Sequence, residues 1–161
     1  MLVFLADNDS LQEEVPCYMP VEVLNDYVHD RGGKTSVAHP FLWGRNSLNE
    51  KEIRVVQDGS TPESHFDYVE GHHGGVINLL TAQGQYPRIT GMLMRLGLMP
   101  QAFDSNAQVR DIFQRNILDL KGMTAGSDAH SIQHIGDVGI KYSRAQGPFA
   151  SIESGEYAIV Q

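Results

Sequence analysis

At 161 residues with 41% apolar side chains, the chain is sized for one domain with a true hydrophobic core. A net charge of −8 argues against the basic face of a nucleic-acid binder, although a bound cation could still bring in a nucleotide. One cysteine, Cys17, excludes an internal disulfide; no apolar run nears the ~20 residues that span a bilayer, and residues 1–5 are too short and lack the basic flank of a signal peptide, so a cytoplasmic protein is expected.

Residues 2–5 (LVFL) read as a first strand, and 7–20 as a loop broken by Pro16 and Pro20. A helix is expected over 21–31, with Val21, Leu24, Tyr27 and Val28 as its apolar stripe and Gly32-Gly33 ending it. Residues 35–38 make a second strand that runs into His39-Pro40, and Pro40 keeps His39 out of the helical region. Between 41 and 64 only a short helix near 49–56 is suggested. A third strand over 66–70 leads into Gly71-His72-His73-Gly74-Gly75. Helices follow at 76–82, 89–96 and 106–120, the last capped by Ser105 with Val109, Ile112, Phe113, Ile117 and Leu120 on one face. Residues 123–125, 140–142 and 157–160 are the remaining strands, with a helical turn at 148–154. This alternation predicts an α/β fold with mostly parallel strands.

The chemistry-bearing residues fall at the downstream ends of these strands, where parallel α/β folds carry ligands. Asp128 and His130 follow the fourth strand two residues apart, so an extended chain projects them to one side. A carboxylate and an imidazole so placed suit a borderline metal ion. His39 becomes a ligand candidate by sharing that edge. Glu70, His72 and His73 put three donors within four residues, with glycines that permit close approach to an ion or a phosphate. They, together with His134 four residues past His130, are candidate metal or substrate contacts. His29, at a helix end, reads as structural, and His65 as loop surface. The methionines and leucines of 92–99 read as core or interface. Cys17 has no neighbouring histidine, no Gly-x-Ser-x-Gly elbow occurs, and Gly33-Lys34-Thr35 lacks the first glycine of a P-loop.

Several segments together resemble the PHP (polymerase and histidinol phosphatase) superfamily. They are Gly32-Gly33 followed by Ala38-His39-Pro40-Phe41, the strand Phe66-Asp67-Tyr68-Val69-Glu70, and Gly126-Ser127-Asp128-Ala129-His130 with Ile135-Gly136 after it. The tail from Phe149 to Gly155 is similar to the family's closing helix. The resemblance implies a distorted seven-stranded β/α barrel and a phosphoesterase that uses two or three zinc, manganese or iron ions. It implies His39, Asp128 and His130 as the metal ligands retained here, with Asp128 and His130 catalytic. The family opens with a His-x-His pair, and this chain contains none, so it resembles only the C-terminal portion of a PHP domain. Part of the metal site is then expected to lie outside the chain, and three ligands would hold one ion with an open position. A partial barrel would expose strand edges and pair with a second copy or a separate chain. The expected activity is hydrolysis of a phosphorylated small molecule or nucleotide by metal-activated water. The alternatives are an incomplete PHP-like subunit or binding module, and a metal-dependent amidohydrolase-like enzyme.

Overall fold

The computed structural model describes residues 2–4, 19–41, 47–59, 61, 64–76, 84–96, 104–128, 132, 135–136 and 138–160. Four strands form one sheet in the order β1 (Leu2–Phe4), β2 (Lys34–Val37), β3 (Tyr68–His73), β4 (Gly122–Gly126). β2, β3 and β4 run parallel, as the alternating pattern demands. β1 pairs antiparallel with β2 at the sheet's edge, Leu2 opposite Ser36 and Phe4 opposite Lys34. β5 (Gly139–Tyr142) and β6 (Tyr157–Val160) form a separate antiparallel pair. The architecture is therefore mixed α/β, and among the described residues three strands, β2, β3 and β4, make up its parallel part.

The helices are α1 (Val21–His29), α2 (Glu50–Gln57), α3 (Pro87–Arg95), α4 (Ser105–Gln114) and α5 (Pro148–Ser154). α1 stops two residues short of the expected end: Gly32 takes φ +69° and its N–H bonds the His29 carbonyl. α2 begins with a capping box, Asn49 accepting from the Glu52 N–H and Glu52 from the Asn49 N–H. α4 is capped by Asp104 rather than Ser105, and it ends six residues early. Asn116 and Asp119 adopt left-handed backbones there, so Leu118 and Leu120 reach the core from a loop. Of the expected helix at 76–82, only Val76 lies within the described residues. Among the described residues no helix is long and apolar enough to cross a membrane.

One face of the sheet carries the core. Val37 and Val69 pack with Ile53 and Val56 of α2, Val109 and Ile112 of α4, and Phe66, Leu118 and Leu120. Gln57 is buried among them and makes three bonds: its Oε1 accepts the Phe66 N–H, and its Nε2 donates to the Phe66 and Leu118 carbonyls. α3 stays outside this core, with Ile89, Met92 and Leu96 all more than half exposed.

The sheet's other face is covered by α5. Phe149 stacks on Tyr68 with centroids 5.8 Å apart, and the Tyr68 hydroxyl donates to Glu153. Gly122 allows this approach, because a Cβ there would lie 2.4 Å from Ile152 Cγ2 and 3.2 Å from the Ile152 carbonyl. Gly122→Ala should therefore lower stability by about 1–3 kcal/mol, the usual cost of overpacking, in a urea unfolding curve. An unchanged midpoint would mean that α5 shifts freely.

At the amino edge of the parallel strands sits a charged hub. Asp67 is 2% exposed in front of β3. Its carboxylate accepts from His29 Nε2 at 2.7 Å, Lys121 Nζ at 2.6 Å and the Thr35 N–H at 3.0 Å, with Lys34 Nζ at 3.4 Å. His29 is thus structural, as its helix-end position suggested.

Candidate functional site

The opposite, carboxyl edge gathers the residues singled out by sequence. His39 lies two residues beyond β2, with φ +32°, and Phe41 follows at φ +61°. Asp128 lies two residues beyond β4, with φ +47°. Left-handed backbone is uncommon for residues with a Cβ and concentrates at functional sites. The expectation that Pro40 bars His39 from the helical region holds, but the outcome is a left-handed turn, not extended chain.

Glu70 ties two of these strands together. It is 4% exposed, and its Oε2 accepts the His39 N–H at 2.7 Å. Its Oε1 lies over Gly126 of β4, where a Cβ would sit only 2.6 Å away. Burial pushes the Glu70 carboxyl up to about 7; the His39 N–H opposes this, and the negative charge of Asp128 adds to it. His39 Nδ1 lies 3.0 Å from Ser47 Oγ, and the His39 ring meets His73 edge-on at 5.6 Å between centroids.

His73 reaches this edge through an irregularity in β3. The register with β4 slips between Glu70, opposite Thr124, and His72, opposite Ala125. The extra residue is Gly71, and it re-aims the chain beyond it. His73, 3% exposed, places its Nε2 3.0 Å from Asp128 Oδ2. His72 goes elsewhere: burial and the positive charge of Arg110 on α4 hold its pKa below the usual histidine value. The bulge therefore separates the three-donor cluster, with Glu70 and His73 at the site and His72 beside Arg110. Gly74 and Gly75 also differ from expectation. A Cβ on Gly74 would meet the Ser127 carbonyl at 2.7 Å, and one on Gly75 would meet His73 Cε1 at 2.9 Å. Within the described residues these glycines admit the protein's own backbone and the His73 ring.

His130 and His134 lie outside the described residues. Among the described residues no three His, Cys, Asp or Glu side chains are arranged to hold an ion. The chemistry of the donors nevertheless suits one. His39 and Asp128 offer an imidazole and a carboxylate, donors that zinc, manganese and iron accept. Glu70 and Asp128 repel, and a cation would relieve that repulsion. If His39 donates Nδ1–H to the Ser47 hydroxyl 3.0 Å away, its Nε2 is left for a metal, as in a ligating imidazole. His73 fits less well as a ligand. Its Nδ1 accepts the Val76 N–H at 3.2 Å, so in the neutral ring the proton sits on Nε2, the nitrogen 3.0 Å from Asp128 Oδ2.

Sequence reasoning missed Asn106 and Arg110, which grip the β3 bulge from α4. Their only sequence signal is a position in the first turns of an amphipathic helix. The chain matches no family model, no curated protein and no solved structure.

Proposed function

We propose that the chain is a metal-dependent phosphoesterase of the PHP type, with its strands forming part of a distorted β/α barrel. The observation that carries this reading is the meeting of His39, Glu70, His73 and Asp128 at the carboxyl edge of three parallel strands. On the family resemblance His39, Asp128 and His130 would hold the ion, and zinc, manganese and iron all suit such donors. When bound, a divalent ion supplies a nucleophilic hydroxide at neutral pH and neutralises phosphoryl oxygens. Glu70 fixes the His39 backbone by accepting its N–H. His73 steadies Asp128 Oδ2. A phosphorylated small molecule or nucleotide is the substrate class, because a net charge of −8 disfavours a long polyanion. A cytoplasmic setting accords with the single cysteine.

The test is elemental analysis of protein purified without added metal, followed by assays on phosphomonoesters and phosphodiesters. About one equivalent of metal per chain and turnover abolished by chelation are expected. Turnover that survives complete metal removal would reject the reading. One observation favours a second reading, a PHP-like subunit completed by a partner: among the described residues β1 is the terminal strand of the four-stranded sheet. On that reading, metal retention and turnover arise only when a second chain is added.

A further inference from the structure

α4 holds the site from behind. Asn106, 3% exposed in its first turn, grips the backbone of His73 on both sides. Its Oδ1 accepts the His73 N–H at 3.0 Å, and its Nδ2 donates to the His73 carbonyl at 3.2 Å. One turn further along, Arg110 Nη1 donates to the Gly71 carbonyl at 3.3 Å. The bulged residue, Gly71, and the last residue of β3, His73, are therefore anchored to one helix. Just past the clasp the chain turns through Gly74 and Gly75, and the Val76 N–H comes back to His73 Nδ1.

These contacts form a chain of cause. A bulge leaves backbone groups without ladder partners, and buried ones need others. Asn106 supplies both a donor and an acceptor, and so fixes where His73 leaves the strand. The fixed backbone sets the turn, the turn aims the Val76 N–H at Nδ1, and the proton is left on Nε2 opposite Asp128. We infer that Asn106 is a positioning residue that determines which ring nitrogen of His73, the one beside Asp128 or the one beside Val76, carries the proton. The importance given to Asp128 rests on the proposed metal reading; the clasp and the tautomer do not.

The decisive measurement is the histidine tautomer by long-range proton–nitrogen NMR on the metal-free full chain, with His73→Gln identifying the resonances. Wild type should show His73 as a single Nε2–H tautomer. Asn106→Ala should lose that single pattern and give a mixture or the Nδ1–H form. Asn106→Asp guards against a variant that fails to fold. It has the same shape, and an acid in a helix's first turn suits the dipole, yet it replaces the donor to the His73 carbonyl with an acceptor. It too should lose the single tautomer while the circular dichroism stays that of wild type. Wild-type protein with Nδ1–H, or folded variants that keep the wild-type pattern, would overturn the inference. Because the readout needs no metal, failure to bind metal would defeat the proposed function and leave this result standing.

Discussion

Asp128→Asn is expected to reduce affinity for zinc or manganese by more than about 100-fold and to remove hydrolysis with it. The benchmark is the loss of about 10–100-fold typical when a residue that only supports a ligand is changed. The substitution isolates charge. Asp128 sits at φ +47°, a conformation that Asn also tolerates, so the backbone need not move. Asn has the same shape as Asp but lacks the anionic oxygen that faces His73 Nε2 and would bind a cation. His73→Gln should fall inside the 10–100-fold range if His73, 3.0 Å from Asp128 Oδ2, supports that carboxylate instead of binding the ion, as the proposed function has it. Equilibrium dialysis with each metal reads both effects. Asp128→Asn with wild-type affinity would mean that Asp128 is no ligand. His73→Gln as severe as Asp128→Asn would make His73 a ligand in its own right.

Asp67→Asn is expected to cost about 2–3 kcal/mol of stability at neutral pH, the range for hydrogen bonds to a charged partner. Lys121 is half exposed and Lys34 partly so, and solvent screens their share. The larger part comes from the bonds of the Thr35 N–H and the His29 ring, which are shielded from water. Burial works to raise the Asp67 pKa, but the bonds from Lys121, Thr35 and His29 outweigh it, and the net shift is downward. A lowered folded pKa fixes the sign. The contribution is fully present above the ordinary carboxyl value of about 3.9 and is lost as pH falls through the lower folded value. Urea unfolding of both proteins across that window checks it: the difference should be constant above the window and shrink below it. A difference that grew on acidification would contradict the assignment.

How much of the site could be read from residue order depends on how local each constraint is. His39 was legible because a strand ending in His-Pro limits its own backbone, and Asp128 because it follows a short apolar strand. Glu70 was legible as the charged end of a strand. Telling His72 from His73 was not possible, since the extra residue at Gly71 becomes visible only in the pairing of β3 with β4. Asp67 left a hint, an ionisable residue within an apolar strand, but its partners come from α1, β2 and the start of β4.

The chain's own periodicity determined the alternation of strands and helices, the apolar faces of α1 and α4, and the placing of polar donors at strand ends. These follow from side-chain geometry over a few residues. Tertiary structure alone decided the antiparallel pairing of β1 and the early end of α4. It also decided the use of Gly122, Gly74 and Gly75 for internal packing, and the clasp of Asn106 on His73. Each depends on atoms brought together from distant parts of the chain. Their register, bulges and close approaches are settled only when the sheet and its covering helices pack.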